Sequence, residues 1–383
     1  MDIEFAEEQQ MFQKVAKDFA EREVAPLVNE AEEKEEMPID LFRKTGELGY
    51  LCPAYPEEYG GGGMGKVGEC IFYEQMGRIS RGIASGLMVQ AGLGTSIILK
   101  YGNEEQRQKY FIPAVKGEKI AAFGLTEPNA GSDAASIETT AKKVDDNYIV
   151  NGNKIYITNG PICDFILVAA YTDKSKGSRE GISVLLLEID KQNGIPGLSI
   201  IKMKKVGNRS AATAEITFDD CVIPGKNLVG EEGKGFRYLL EGLSGGRISH
   251  SACSLGVAQA ALEASLDYAK QRVQFGQPIG KFQANAFKLA GLATEIEAAR
   301  WMLYRAAWLY DQGRECRKEA AMTKFLSSEA AVRAATIAME IHGGVGYMVE
   351  SPVQRYFRDA ILTRTTEGTN EIQQVVIARQ LGL

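Results

Sequence analysis

Histidine is scarce in this chain: only two of its 383 residues are histidines, His250 and His342. The cysteines are few as well, and no two of them form a Cys-x-x-Cys pair. Because structural zinc sites cluster several cysteine or histidine ligands, the sequence predicts no metal site of this kind. Scattered cysteines instead predict reduced, mostly buried thiols in a cytoplasmic protein. They are Cys52, Cys70, Cys163, Cys221, Cys253 and Cys316.

Long basic runs and long apolar runs are also absent. The net charge is −6 and the isoelectric point is near 5.4, so duplex nucleic acid is not an expected partner. We identify no run of ~18 apolar residues, and we therefore predict no membrane-spanning helix. The N-terminal sequence MDIEFAEEQQ is acidic and polar, which predicts that no signal peptide is present.

The first predicted domain, residues 1–120, is α-helical. Apolar residues between Phe5 and Phe19 repeat at helical spacing, which predicts an amphipathic helix. A second helix is predicted near PIDLFRKTGELGY, with Pro38 in its first turn. At roughly 100–200 residues per domain, the chain has room for one or two further domains.

The second predicted domain, residues 121–231, is rich in β-structure. Short apolar runs such as DFILVAAYT and GISVLLLEI are bounded by Gly, Asp, Asn and Pro. These runs predict a small antiparallel sheet or barrel of roughly six to eight strands. Asn151-Gly152 lies between two β-rich runs and predicts a hairpin turn.

The third predicted domain, residues 232–383, is helical again. Its long Ala-rich periodic segments predict a bundle of long helices. The segment from FQANAF to WLYDQG is apolar over most of its helical circumference, which predicts burial, in part against a partner subunit. The order along the chain is therefore helices, sheet, helices.

Two short motifs point to other chemistry. GGGGMGKV at 60–67 nearly matches the phosphate loop, but Val67 stands where a hydroxyl is required. GLSGG at 242–246 matches the nucleophile elbow of hydrolases, and a triad of Ser244, an acid and His342 can be drawn. The elbow needs a strand before its serine, whereas GKGFRYLLEGL reads as a helix. A serine thioesterase built on Ser244 remains an alternative from a different class of protein.

Five separated segments call for a common explanation. Each also has an ordinary interpretation, as a polar turn, a strand, a helix connection, a helix C-cap or a loop with a solvated acid. Small residues with free amides and hydroxyls favour close contact with a ligand, and an arginine at a helix break suits a pyrophosphate. The segments are FGLTEPNAGSDAAS (123–136), KIYITNG (154–160), KQRVQFGQPIGKFQ (270–283), EIHGGVGY (340–347) and TTEGTNEIQQ (365–374).

In combination, LTEPNAGSD, QRVQFGQPI, IHGGVGY and EGTNEIQ resemble the acyl-CoA dehydrogenase family, and the resemblance covers nearly the whole chain in order. It implies an α+β, mostly α fold: an N-terminal helical domain, a central antiparallel β domain and a C-terminal four-helix bundle. It implies FAD as the cofactor, an acyl-CoA substrate and a homotetramer built as a dimer of dimers. It also implies an electron-transferring flavoprotein as the acceptor.

The resemblance assigns the FAD site to residues from all five segments, with the third and fourth reaching the FAD of a neighbouring subunit. The matching positions are Phe123, Leu125, Thr126, Gly131, Ser132, Tyr156, Ile157, Thr158, Arg272, Phe275, Gln283, Glu340, Gly343, Gly344, Thr369 and Glu371. Asn370 matches the same turn as Thr369 and Glu371. Substrate contacts are implied for Ser132, Ser244, Arg247 and Gly368.

Glu367 matches the catalytic base of the family. The resemblance implies that it removes the pro-R α-proton of the thioester while a hydride leaves Cβ for flavin N5 on the opposite face, giving the trans-2-enoyl product. The Glu367 N–H and a flavin ribityl hydroxyl are implied to polarise the thioester carbonyl. An apolar pocket would raise the pKa of this carboxyl toward the working pH. Some relatives carry the base at the position of Gly246, where this chain has no carboxylate.

Several positions depart from the family pattern. Thr366 replaces a usual Tyr, which predicts a wider pocket for branched or cyclic acyl chains unless another side chain fills the space. Glu340 replaces a frequent Gln, and Ser244 a frequent Asp. Relatives that oxidise glutaryl-CoA place an arginine where this chain has Ala84, so a neutral short or medium acyl chain is favoured, with Arg81 as another cation able to reach inward.

The alternatives within the family are an enoyl-CoA reductase, an oxidase and a glutaryl-CoA-type dehydrogenase. A non-catalytic acyl-CoA-binding protein and the serine thioesterase are the alternatives from other classes.

Overall fold

The computed structural model describes residues 5–383. The prediction about a signal peptide falls partly on residues 1–4, which lie outside the described residues. Within residues 5–383, eight α-helices precede the sheet, so the predicted helical character of this part is confirmed. They are α1 (Glu7–Phe19), α2 (Val28–Lys34), α3 (Asp40–Glu47), α4 (Gly65–Ile79), α5 (Arg81–Ala91), α6 (Ser96–Tyr101), α7 (Glu104–Gln106) and α8 (Ile112–Val115).

The amphipathic repeat near the N-terminus forms α1, with Phe12, Ala16 and Phe19 buried. The second predicted helix is α3, which begins at Asp40 rather than at Pro38. The carbonyl of Pro38 accepts a hydrogen bond from the Leu41 amide at 3.1 Å, so Pro38 belongs to a turn that leads into the helix.

One apolar segment from Arg81 to Tyr101 has the length and composition of a membrane span, with a mean hydropathy of 1.5. The sequence analysis did not identify this segment, and the prediction that no helix spans a membrane stays a prediction. In the structure the segment is divided between α5 and α6 by a break from Gly92 to Thr95. Most of its apolar window, 61%, is buried inside the protein, which is the behaviour of a core helix in a soluble protein.

A seven-stranded sheet follows in the order β1-β4-β2-β3-β7-β6, with β5 paired to β4. Its strands are β1 (Ala121–Gly124), β2 (Thr140–Val144), β3 (Asn147–Thr158), β4 (Phe165–Tyr171), β5 (Ile182–Glu188), β6 (Leu198–Lys202) and β7 (Thr213–Pro224), with the short helix α9 (Gly177–Gly181) before β5. The strand number agrees with the prediction. The sheet is mixed rather than purely antiparallel, because β4 runs parallel to both β1 and β2.

The predicted hairpin turn at Asn151-Gly152 is wrong, because β3 continues through these residues without reversing. The register against β7 shifts here, which marks a β-bulge. Asn151 exchanges hydrogen bonds with Asp220 across the bulge, at 2.9 and 2.8 Å. Gly152 has φ +144°, and a Cβ there would lie 2.5 Å from the Thr139 hydroxyl. Glycine at this position therefore permits the backbone of β3 to lie close to Thr139, and it does not form a turn.

The C-terminal part contains three long helices and two shorter ones. They are α10 (Gly235–Gln271), α11 (Gln283–Asp311), α12 (Arg317–His342), α13 (Pro352–Leu362) and α14 (Asn370–Gln380), and a small hairpin of β8 (Val273–Gln274) and β9 (Gln277–Pro278) joins α10 to α11. The predicted mostly α fold with a central β-region and a C-terminal bundle is confirmed. The domain boundaries after residues 120 and 231 stay predictions.

Helix α10 crosses α4 at very short range, which fixes the helix that later lines the site. A Cβ on Gly77 would lie 2.3 Å from the Cys253 carbonyl oxygen, and a Cβ on Gly256 would lie 2.2 Å from the Glu74 carbonyl oxygen. Glycine at both crossing points therefore lets the two backbones touch. All six cysteines are buried and free, as predicted.

Candidate active site

Glu367 lies on the short loop between α13 and α14. Its φ of +56° is left-handed, and Gly368 follows with φ +83°. A left-handed glutamate is uncommon and costs free energy unless its surroundings hold it. Here the Gln373 side-chain amide donates to the carbonyl oxygens of Glu367 and Gly368, at 3.1 and 2.9 Å. Thr369 caps α14 by accepting a hydrogen bond from the Ile372 amide at 3.3 Å.

The Glu367 carboxyl group points at a bare stretch of α10. A Cβ built on Gly246 would lie 2.8 Å from Oε2 and 3.3 Å from Cδ of Glu367. Gly246 is the position at which the family resemblance implies that some relatives carry their base. In this chain the two positions exclude each other, because any side chain at 246 would meet the carboxylate of Glu367.

Two buried cations act on this carboxyl group. Burial raises the pKa of Glu367, while Arg247 and Lys324 oppose that rise by favouring the charged form. Arg247 lies next to Gly246 on α10, and its Nε donates to the Glu367 carbonyl oxygen at 3.5 Å. Glu367 as a whole residue is half-buried, and the pKa of its carboxyl group is raised, in the direction that suits a general base.

The residue before Glu367 makes contacts that the sequence did not predict. The Thr366 hydroxyl lies 3.1 Å from Nε2 of His250, and Nη2 of Arg81 donates to it at 3.4 Å. Burial and the nearby Arg81 lower the pKa of His250 well below its usual value, so this imidazole is neutral. Arg81 therefore contacts the loop that carries Glu367, and His250 occupies part of the space beside Thr366.

The loop 123–132 and strand β3 meet, as the proposed flavin site requires. The Ile155 amide donates to the Thr126 carbonyl oxygen at 2.9 Å. Tyr156 sits at a bulge with φ +61° and is 66% exposed. Ile157 is buried in the core of the sheet, whereas Thr158 is half-buried at the strand end.

The loop also offers space for a ligand. No atom lies within 4 Å of a Cβ built on Gly131, and Ser132 beside it is exposed. Phe123 and Leu125 are half-buried at the start of the loop. An open loop next to an exposed aromatic face fits a flat heteroaromatic ligand.

The remaining predicted cofactor residues lie on the C-terminal helices and their connections, and most of them are exposed. Arg272 precedes the β8–β9 hairpin, Phe275 is at its tip, and Gln283 begins α11. Phe275 has φ +50° and is 94% exposed. Glu340 near the end of α12 pairs with Lys288 of α11 at 2.7 Å. Gly343 and Gly344 follow with open space around them, and Glu371 lies exposed in the first turn of α14.

The two competing motifs do not form their sites. Ser244 lies inside α10, with helix rather than strand before it. His342 ends α12, where its ring stacks on Tyr268 and its Nδ1 lies 2.8 Å from the Ala338 carbonyl oxygen. In the phosphate-loop-like segment, Lys66 is buried and pairs with Glu69 at 2.8 Å. Within residues 5–383, no cluster of three or more metal-ligating side chains is present.

The sequence matches three family domains in order. They are the acyl-CoA dehydrogenase N-terminal domain over residues 6–118, the middle domain over 122–221 and the C-terminal domain over 233–382. Together with the helix–sheet–helix fold and the Glu367 carboxyl group beside Gly246 of α10, these matches define a flavin-dependent oxidoreductase. The chain belongs to the acyl-CoA dehydrogenase family, whose cofactor is FAD.

Individual relatives match over nearly their whole length. A probable acyl-CoA dehydrogenase of Bacillus subtilis (strain 168) is 45% identical, with all of both chains covered. An acryloyl-CoA reductase (NADH) of Anaerotignum propionicum is 39% identical over 100% of this chain and 96% of its own. The structure of butyryl-CoA dehydrogenase from Megasphaera elsdenii superposes with a TM-score of 0.94 at 42% identity, covering both chains fully.

Proposed function

We propose that the protein catalyses the α,β-dehydrogenation of an acyl-CoA thioester, with Glu367 as the general base. The observation that carries the proposal is the placement of Glu367. Its carboxyl group is aimed at the bare Gly246 face from a left-handed turn, in surroundings that raise its pKa. A carboxylate that only served solubility would gain nothing from such a strained and desolvated position.

Removal of a proton from Cα and of a hydride from Cβ together creates the double bond. The α C–H bond breaks and its proton moves to a carboxylate oxygen of Glu367, while the C–H electron pair becomes the new carbon–carbon double bond. Bound FAD supplies the acceptor for the hydride that leaves Cβ. The Glu367 N–H is assigned to the thioester oxygen, which becomes more negative as the α-proton leaves.

Two groups of described residues are assigned to FAD. The loop 123–132 and the Tyr156 bulge would hold the flavin ring, with Thr158 and the turn at Thr369 beside it. The exposed group at Arg272, Phe275, Gln283 and Glu340–Gly344 would complete the site of a neighbouring subunit. Ser132, Ser244, Arg247 and Gly368 are assigned to the acyl-CoA.

The acyl chain is proposed to be neutral and short or medium in length, including branched or cyclic forms. The butyryl-CoA relative supports a short chain, and the buried Ala84 offers no charge for a distal carboxylate. Because Thr366 replaces a tyrosine, we expect more room near the acyl group, although His250 takes part of it. Because an acryloyl-CoA reductase is among the relatives, the reverse reaction is the second candidate function.

A homotetramer is part of the proposal. On α11 the large side chains of Phe287, Trp301 and Trp308 are exposed at intervals of whole heptads, on a helix whose leucine and isoleucine side chains are all buried. An exposed apolar stripe of this kind favours a second copy of the chain. An electron-transferring flavoprotein as acceptor and a cytoplasmic location are proposed from the family resemblance.

The test uses the purified FAD-loaded protein under anaerobic conditions. Flavin absorption should bleach with straight, branched or cyclic acyl-CoA and not with a dicarboxylic acyl-CoA. Glu367→Gln should abolish bleaching and keep bound FAD. Full activity of this variant would remove Glu367 from its role, and faster reoxidation of the reduced enzyme by enoyl-CoA than bleaching by acyl-CoA would favour the reductase.

A further inference from the structure

A lysine of α12 joins the two ends of the loop that carries Glu367. Lys324 Nζ donates to the Arg364 carbonyl oxygen at 3.1 Å, just before the loop, and to Asn370 Oδ1 at 2.9 Å, just after it. Ser328, one turn further along α12, donates to the same Asn370 oxygen at 2.9 Å. The loop is therefore tied to one helix at both of its ends.

A third residue of α12 completes these ties. One carboxylate oxygen of Glu329 accepts a hydrogen bond from Asn370 Nδ2 at 2.7 Å, and the other pairs with Arg364 Nη2 at 2.6 Å. The backbone N–H of Asn370 donates to the Arg364 carbonyl oxygen at 2.9 Å, so the two ends of the loop are also bonded to each other. We call Lys324, Ser328 and Glu329 the α12 clamp. The Asn370 side chain, at a position matched to FAD contact, is engaged with the clamp instead.

Lys324 is an unusual member of this set, because its side chain has no exposed surface at all. Within residues 5–383 no carboxylate oxygen lies within 4 Å of its Nζ, so it has no direct ion pair. The charged groups that face it are Glu367, Arg247, Glu371 and Arg81. Burial lowers the pKa of Lys324 to about 8, so the side chain is mostly charged at neutral pH.

A buried cation without an ion pair is costly to a fold, and hydrogen bonds to the loop ends need no positive charge. A neutral donor such as a glutamine amide could donate to these oxygens without that cost. The charge therefore calls for a functional explanation, and the carboxylate of Glu367 is the group that would gain from it. Arg247 is the second cation that faces this carboxylate.

We propose that Lys324 is a positioning residue for the dehydrogenation: through the α12 clamp it holds the left-handed turn at Glu367, and its positive charge favours the ionised form of that base. The inference rests on the function proposed above. It assigns Lys324 no contact with the reacting carbons. Lys324 acts only through the position and the charge state of Glu367.

The test compares Lys324→Met with Lys324→Arg in the FAD-loaded enzyme. For Lys324→Met we expect kcat to fall roughly 10- to 100-fold, because small displacements of a catalytic group are this costly, with KM and the FAD content unchanged. The acid limb of the kcat–pH profile should move to higher pH, since removal of a positive charge disfavours the carboxylate. Lys324→Arg keeps the charge and should restore the acid limb. Lys318→Met, on the same helix and partly exposed, is the matched control.

A second readout isolates proton removal. A 3-thia-acyl-CoA has an acidic α-proton but no β-hydrogen, so exchange of its α-proton in D₂O, followed by NMR, reports the base alone. Lys324→Met should slow this exchange. Lys324→Gln, which keeps a donor and loses the charge, provides the acid-limb measurement if the methionine variant does not fold.

The proposal for Lys324 is overturned if Lys324→Met or Lys324→Gln keeps the wild-type kcat, exchange rate and acid limb. That result would leave Glu367 as the base. Retained activity in Glu367→Gln would instead overturn the proposed function. The two failures are therefore distinguishable.

Discussion

At the scale of single residues, a substitution at Gly246 should lower activity without lowering stability. Helix α10 would gain from alanine here, by up to ~1 kcal/mol of helix propensity, but the new Cβ would lie 2.8 Å from Oε2 of Glu367. We predict that Gly246→Ala lowers kcat by at least ~10-fold, because a displaced base loses its alignment with the substrate. The melting temperature should stay the same or rise. Steady-state kinetics and thermal unfolding of the same preparation measure both effects.

Gly291 provides the control for this substitution. It lies in α11, and a Cβ there meets no atom within 4 Å. Gly291→Ala should therefore raise the melting temperature through propensity alone and leave kcat unchanged. If Gly246→Ala keeps full activity, the carboxyl group of Glu367 does not occupy the space in which the structure places it.

At the scale of helices and strands, some features were readable from the sequence and others were not. Periodicity located the helices, and motif order located the loop of Glu367 between two of them. Asn151-Gly152 misled the prediction, because a bulge and a turn demand the same residues. Only the paired strand β7 decides between them. The parallel pairing of β4 was equally invisible, since partner choice depends on contacts distant in sequence.

The sequence around Lys324 indicates that this lysine is buried, but the prediction did not use that information. Ala320, Ala321, Ser327, Ser328 and Ala331 recur with it at helical spacing, and all of them are buried. A lysine on such a buried stripe of small residues is unusual, and its burial alone calls for a structural or functional reason. The contact of His250 with Thr366 had no such signal, because the two residues are 116 positions apart.

The loop 123–132, which is proposed to bind the flavin, is attached to strand β3 by a buried ion pair. Lys154 Nζ pairs with Glu127 Oε1 at 2.6 Å and donates to the Leu125 carbonyl oxygen at 3.0 Å. The Glu127 carboxylate also accepts hydrogen bonds from the amides of Glu138 and Thr139. Since neither side chain of the pair is exposed to solvent, removal of one partner leaves an uncompensated buried charge.

We predict that Glu127→Gln destabilises the protein by ~3–5 kcal/mol, as for other broken buried pairs, and weakens FAD binding. Adding Lys154→Met should recover part of the stability, since the orphan cation is gone, without restoring FAD affinity. Denaturant unfolding and FAD titration of the apoprotein check the two effects separately. Additive losses of stability in the double variant would contradict an interaction between the two residues.

At the scale of the whole molecule, one buried acid lies where the three parts of the chain meet. Asp359 of α13 accepts a hydrogen bond from the Asn208 amide, in the loop after β6, at 2.6 Å. Burial raises its pKa to about 6, and the nearby Glu32 of α2 adds to the rise. The Asn208 amide and the cations Arg355 and Arg81 act in the opposite direction.

The raised pKa gives a pH dependence of definite sign. Between its ordinary pKa of 3.8 and about 6, Asp359 keeps a proton in the folded state that the unfolded chain has released. Stability therefore falls as the pH rises through this window and stays lower above it. At roughly 1.4 kcal/mol per pKa unit, the loss is on the order of 2–3 kcal/mol.

Asp359→Asn removes this titration and keeps an oxygen that accepts from the Asn208 amide. We predict that the variant unfolds at a higher temperature than the wild type at pH 8, and that this advantage shrinks toward pH 4. Asp219→Asn, at an exposed site on β7, should follow the wild-type profile at every pH. Thermal unfolding of the three proteins across this range measures the difference. If the advantage of Asp359→Asn does not vary with pH, the variant stabilises the protein through packing around residue 359. In that case the charge of Asp359 is not the cause.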